Sequence, residues 1–352
     1  MKKRRVMYGV AAALCVVLLV AMRSAVSWRP HKVAFVGTQR GDGIDKPHSR
    51  VVEGGRVLLV ECRTKHGDVL LVWDTSIWQL KRQIPLFPTE TVARPTDREV
   101  ASYDVSSDGR EMVTIKSLLP QRQTFQSASL GEVFSLNGSP TRTLKKARVN
   151  ALDFLWGRGI IFTRFSSDGR QIGTASTQEI VFWNRRSGAL SRQITLPAMR
   201  FGLTTSVSPD FKTAIQADLD FIRLWDIQGK PRLLAKEFPG WKSLFSPDGK
   251  RFICYAPQFT SPGFVLICVD VSTGQSLWMA PIDHRADDLV WSRDGSTVFA
   301  SLDSRISAFA AQNGARLGSV SVANVAQILP SPSSNEVWCL DGNAQLWSQR
   351  VY

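Results

Sequence analysis

Two short signatures recur through this chain at intervals near forty residues, and that recurrence constrains the fold more than anything else in it. The first is a Ser/Asp/Gly turn, at Ser107-Asp108-Gly109, Ser167-Asp168-Gly169, Ser208-Pro209-Asp210, Ser246-Pro247-Asp248-Gly249 and Ser292-Arg293-Asp294-Gly295. Its aspartates stand 60, 42, 38 and 46 residues apart. Each copy separates two alternating apolar runs, as in SLFSPDGKRFICY and LVWSRDGSTVFAS, which is a hairpin signal because Gly accepts the positive φ of the turn. The second signature follows about fifteen to twenty residues later: Trp73-Asp74, Phe134-Ser135, Trp183-Asn184, Trp225-Asp226, Val269-Asp270, Phe309-Ala310 and Trp347-Ser348.

Each unit therefore reads as about four short strands joined by polar turns, with little helical periodicity. A single four-stranded sheet of this kind cannot bury both faces, whereas sheets stacked radially bury each other and protect their edges. The aromatic residue on the third strand is expected to fill the space between neighbouring sheets, and the Asp, Asn or Ser after it to hydrogen-bond the following turn. The last copy, NVAQILPSPSSNEVWCLDGNAQLWSQRVY, supplies three strands, and an unclaimed strand lies at the other end, near Lys32 to Thr38. Pairing the two closes the ring. The expected fold is all-β, a seven-bladed β-propeller over residues 28–352, preceded by one N-terminal transmembrane or signal helix within residues 1–27.

These residues resemble the WD-repeat superfamily and its looser bacterial relatives found in envelope proteins, over roughly residues 32–352. No Gly-His dipeptide opens any unit, so the Asp–His–Ser/Thr–Trp network of strict WD repeats is not expected. The fifth unit, CVDVSTGQSLW, is similar to the repeat of quinoprotein-type propellers. The resemblance implies a rigid ring whose loops and channel mouth bind other proteins, and it implies no reaction.

The N-terminus carries a second kind of signal. Lys2, Lys3, Arg4 and Arg5 precede an uncharged run from Val6 to Met22, the order of a basic region and an apolar segment in a signal sequence. Arg23 and Trp28 suit the interface of a retained anchor, and the run is just long enough to span a bilayer. Ala25-Val26-Ser27 leaves a cleaved signal peptide open. The charge bias favours a cytoplasmic N-terminus and an extracytoplasmic domain, single-pass in the cell membrane, with a secreted or periplasmic form as the alternative.

The chain carries a formal charge of +14; the five basic residues among the first 27 leave +9 for the rest. The densest basic stretch is Arg142, Lys145, Lys146 and Arg148, read as a solvated outer strand or as a docking patch for an acidic partner. No aromatic residues interleave with it, so nucleic acid is not an expected partner. His31, His48, His66 and His284 form no metal-spaced pair, G-x-S-x-G is missing, and Gly41-Asp42-Gly43 and Gly157-Arg158-Gly159 lack the third glycine of a phosphate loop. Neither cofactor nor metal is expected. Of the cysteines outside the anchor, Cys62, Cys254, Cys268 and Cys339, the pair Cys254 and Cys268 flanks a predicted hairpin; buried thiols are the default and a disulfide the alternative for an exported domain. The function these readings point to is a non-enzymatic, membrane-tethered interaction scaffold with an unidentified protein partner. A quinoprotein-like or hydrolase-type enzyme, or a small-ligand sensor, stands as the alternative.

Overall fold

The alternation around each Asp-Gly turn becomes, in a computed structural model, a set of antiparallel four-stranded sheets. The structure describes residues 31–33, 49–52, 56–64, 67–77, 79–85, 98–106, 110–118, 129–135, 140–144, 162–176, 179–197, 204–217, 222–228, 230–238, 243–257, 263–341 and 346–352. Among them, six sheets are each built from four consecutive strands, and they fall within residues 49–85, 98–144, 162–195, 204–238, 243–282 and 288–321. We number them one to six. The seventh joins Val325–Pro330, Glu336–Asp341 and Leu346–Arg350 to His31–Val33 from the opposite end of the chain, in the order of a fourth strand: His31 lies across from Ser348 and Val33 across from Leu346. Residues 1–30, which hold the expected anchor, lie outside the described residues, as do the remaining positions of the expected closing strand, 34–38. Among the described residues no helix is long and apolar enough to cross a membrane.

The first strands of the sheets lie beside one another, so they line the axis and the fourth strands form the perimeter of a β-propeller. The core is correspondingly divided. Seven apolar clusters lie among the described residues, each shared by the facing sides of two neighbouring sheets. One brings Leu58, Val60, Leu71 and Trp73 of the first sheet against Leu329, Trp338, Leu340 and Leu346 of the seventh. The signature aromatics sit in these seams: Trp183 between sheets two and three, Trp225 between three and four, Phe309 between five and six.

The inner strands expose an unpaired backbone edge, the usual weakness of a sheet. Side chains from neighbouring inner strands engage parts of it. Asp104 Oδ2 accepts from the Phe165 N–H at 2.7 Å, and Asp288 Oδ2 from that of Ile328 at 3.1 Å. Arg164 Nη1 donates to the Val207 carbonyl and Trp291 Nε1 to that of Leu244.

The turns explain why the signature has its composition. Ser246 Oγ donates to Asp248 Oδ1 at 2.6 Å and accepts from the Arg251 N–H, tying the turn to the strand that leaves it. Ser166, Ser208 and Ser292 do the same with Asp168, Asp210 and Asp294. The serine that matters thus stands two residues before the aspartate. In the second copy of the first signature this is Ser166 rather than Ser167, and in the first copy Ser106 accepts from the Glu111 N–H in the same way. Phe211 holds the place that Gly takes elsewhere, with φ of 58°. This conformation is costly for a bulky residue. Burial of its ring against Phe182, with centroids 5.1 Å apart, offsets that cost, and Gly173 leaves the space.

The turns also couple sheets. Trp278 on the fourth strand of sheet five reaches the next sheet, where Nε1 donates to the Ala311 carbonyl at 2.9 Å. Its ring lies so close to Gly314 that a Cβ there would stand 2.5 Å away. Gly314, at φ of 72°, is required both by the turn and by this approach. Arg192 makes the corresponding reach from sheet three to the Ile227 carbonyl.

These turn carboxylates make stability depend on pH. The Ser166 hydroxyl and the Arg170 N–H hold Asp168 below its ordinary value of 3.8, and the Ser272 hydroxyl with the Thr273 N–H does so for Asp270. A carboxyl depressed in the folded state contributes stability above 3.8 and loses it as pH falls through the depressed value. The midpoint of thermal unfolding should therefore be level near neutrality and fall below pH 3.8. The Asp168→Asn/Asp270→Asn variant should start lower and fall less steeply, a difference that calorimetry across this range reads directly.

Candidate functional site

Of the basic stretch singled out in the sequence, Arg142 lies in Pro140–Leu144, the fourth strand of sheet two, opposite Val133. Lys145, Lys146 and Arg148 lie outside the described residues. His284 is exposed on the connection into sheet six, and no group of three metal-ligating side chains occurs among the described residues. Cys254 and Cys268 are both buried free thiols. They occupy adjacent strands but not opposing positions: Cys254 pairs with Ile267, and Cys268 with Ile253. That offset of one residue sends their side chains to opposite faces, Cys254 into the seam with sheet four and Cys268 into the seam with sheet six. Their separation excludes the disulfide alternative. Burial raises the Cys268 thiol to about 11 and the Cys339 thiol to about 12, so both remain protonated packing groups.

The turns between first and second strands, and those between third and fourth, share one face of the propeller. Backbone hydrogen bonds join them: the N–H of Arg185 donates to the Arg170 carbonyl, as Thr75 does to Arg56, Ile227 to Lys212, Val271 to Lys250, Ala311 to Ser296 and Val351 to Asn335. These bonds identify structurally equivalent positions. Four of the five equivalents of Arg185 are buried apolar side chains that plug the turn, Ile227, Val271, Ala311 and Val351. In sheet three the plug is replaced by an arginine, and the next position, Ser76, Gln228, Ser272, Gln312 or Tyr352 elsewhere, is Arg186.

A notch of about 380 Å³ lies beside this arginine between sheets two and three, lined by Glu111, Gly169, Arg170, Asn184, Arg185 and Arg186. Its floor is fixed. Arg185 Nε meets Glu111 Oε2 at 2.7 Å, with only 17% and 18% of the two side chains exposed. Arg185 Nη1 donates to the Gly169 carbonyl at 3.2 Å, and the guanidinium carbon sits 5.3 Å from the centre of the Phe165 ring. Asn184 is occupied with its own turn, accepting from the N–H groups of Arg186 and Ser187. Arg170 and Arg186 are exposed at the rim. A guanidinium offers donors in a planar fork that matches a carboxylate or other oxyanion, so the rim can recognise negative charge while the floor holds its shape. Alignment of the repeats would have exposed the site, since NRRSG carries two cations where DIQG and DVSTG carry none.

The fold defines a β-propeller, and comparison with known proteins agrees at that level. No family model matches the chain, and no curated protein sequence does. Among solved structures, the chain is similar to the hydrazine synthase of Kuenenia stuttgartiensis, with 11% identity and a TM-score of 0.63 over 90% of this chain and 99% of that one. It is also similar to a chain of a mitotic checkpoint complex, with 12% identity and a TM-score of 0.65 over 92% of this chain and 95% of the other. One neighbour is an enzyme and the other an assembly of proteins, so the likeness speaks to the fold alone.

The floor of the notch makes its own forecast. Glu111→Gln removes the carboxylate that Arg185 meets at 2.7 Å and should lower stability by about 2 kcal/mol. Arg185→Ile together with Glu111→Gln restores the apolar plug found at Ile227 and should return most of that loss. Denaturant unfolding of the wild type, both single variants and the double variant measures both effects.

Proposed function

We propose that the protein is a non-enzymatic interaction scaffold: a seven-bladed, WD-repeat-like propeller closed by its own N-terminal strand and carried outside the cytoplasm on a membrane anchor at residues 6–22. The ring reading is supported by the pairing of His31–Val33 with Leu346–Arg350 and by the shared apolar seam between the first and seventh sheets. The anchor reading rests on the basic residues Lys2 to Arg5 before an uncharged run, with Arg23 and Trp28 after it.

The observation that carries the scaffold reading is how the turn face uses its polar groups. Asp168, Asp210, Asp248, Asp270 and Asp294 each accept hydrogen bonds from their own turns, which commits these carboxylates to holding the hairpins in shape. Arg170 and Arg186 lie exposed on that same face beside a preformed recess. A surface held in shape by its own turns, with exposed arginines beside a recess, suits recognition of another protein, where arginine is enriched among the residues that matter most.

Crosslinking in intact cells, followed by membrane extraction and mass spectrometry, tests the proposal. The full-length chain should remain in the membrane fraction, its propeller should be digested by protease added outside, and one second polypeptide should recur in the crosslinked species. Recovery of the chain alone, with a stoichiometric small-molecule cofactor seen by native mass spectrometry, would overturn it.

A further inference from the structure

We propose that the turn face of the propeller lies against the lipid surface of the membrane that holds the anchor, with exposed apolar side chains around its edge seated among the headgroups. The inference rests on the anchor in the scaffold reading and gives the propeller an orientation. A partner that reaches the notch between sheets two and three is then one held at the same membrane.

Strand polarity carries the proposal first. In sheet seven, Leu346–Arg350 runs toward the turn face, because the Val351 N–H just beyond it donates to the Asn335 carbonyl in the first turn of that sheet. His31–Val33 pairs with this strand antiparallel, so the chain enters sheet seven from the turn-face side. Eight residues separate Met22, the last of the uncharged run, from His31, and they span about 30 Å at most. Presenting the opposite face to the bilayer would take the chain back along the height of the sheet. A strand of six residues, such as Glu336–Asp341, is about 20 Å long, which is most of that reach.

The placement of exposed apolar side chains is the second observation. Among the described residues, Ile77 is 53% exposed in the turn before the fourth strand of sheet one. Leu80, Leu190, Leu233, Leu277 and Leu317 are exposed as well, each the first or second residue of a fourth strand, in sheets one, three, four, five and six. Met279 follows Leu277 on the same side of its strand and is more exposed still. Fourth strands start at the turn face, so these side chains gather where that face meets the perimeter. Among the described residues, no turn between second and third strands, on the other face, carries an exposed large apolar side chain. Single exposed leucines are ordinary on a protein surface, but their confinement to one edge of the ring is not.

Charge is the third. Arg56, Arg170, Lys212 and Lys250 are exposed at one repeated position on this face, where their carbonyls accept from the Thr75, Arg185, Ile227 and Val271 N–H groups. Long basic side chains can lay an apolar stem along a lipid surface and keep the cation at phosphate level. The turn aspartates offset this charge. Lys212 Nζ stands 3.8 Å from Asp210 Oδ2, and Asp168 and Asp248 stand two residues before Arg170 and Lys250. Apolar burial rather than net charge therefore makes the contact, and a zwitterionic bilayer suffices.

The test places the full chain in nanodiscs containing a phosphatidylcholine with a photoreactive diazirine beside its headgroup, and mass spectrometry reads the labelled peptides. Peptides holding Ile77, Leu190 and Leu277 should carry about tenfold more label than the peptide with the exposed Asp303-Ser304 turn of the opposite face. Ile77→Ser/Leu190→Ser/Leu277→Ser should lower labelling of the turns at Arg56 and Lys250 severalfold and leave the unfolding midpoint in place. Equal label on both faces overturns the proposal, as does turn labelling that the triple variant leaves unchanged. Unlabelled edge peptides that crosslink to a second polypeptide also overturn it and assign the edge to a protein partner. Label confined to residues 6–22 removes this orientation and leaves the anchor, whereas a chain that does not enter the nanodiscs removes both.

Discussion

A four-stranded sheet with apolar residues on both sides has two faces to hide, and neither turn chemistry nor hydrogen bonding within the sheet can hide them. Only another sheet can, and it then presents the same need on its far side. The structure meets that need by setting each sheet against the next, so that each of the seven apolar clusters among the described residues belongs to two sheets and to neither alone. In an open stack the two ends would remain wet. Here Leu58 and Trp73 from the start of the chain meet Trp338 and Leu340 from its end, and the last sheet takes its fourth strand from His31–Val33. Everything that could serve function, the turn face, the inner strands and the notch, is positioned by that side-by-side burial.

Most of this was legible as a repeat, because the Asp-Gly turn and the aromatic-Asp dipeptide each have a local physical cause. The details that escaped depend on neighbours in space. The serine of the turn could not be told from its adjacent duplicate in Ser166-Ser167 or Ser106-Ser107 without the hydrogen bonds that Ser166 and Ser106 make to the departing strand. Cys254 and Cys268 flank a hairpin whose Ser261-Pro262-Gly263 marks a turn without fixing the pairing to the residue, and the one-residue offset between them reverses the face a side chain takes. Phe211 in a left-handed turn position is explained only by Phe182 and Gly173, which come from the preceding sheet.

The candidate site shows the same division. Charge density in the sequence pointed to Arg142, Lys145, Lys146 and Arg148, a property read from neighbours along the chain. The recess is lined by other residues and lies at a repeat position that holds an arginine where Ile227, Val271, Ala311 and Val351 stand in other sheets, matched by Glu111 from the neighbouring sheet. Such an exchange is visible only once the copies are superimposed position by position. It also shows how a repeat fold acquires individuality: the seams keep the ring together, and one seam can give up an apolar plug without loss of the whole because its neighbours are intact.

The first and last sheets share one core. A double-mutant cycle between Leu58→Ala and Leu340→Ala, both almost fully buried in the seam between these sheets, measures that sharing in free energy. The two residues are separated by nearly the whole chain, so coupling between them has no local origin. Shared burial should give a departure from additivity of roughly 0.5–3 kcal/mol, as for residues that share a packed cavity. Effects that add to within about 0.3–0.5 kcal/mol, as for distant sites, would mean that the ends do not pack together and that the ring is open.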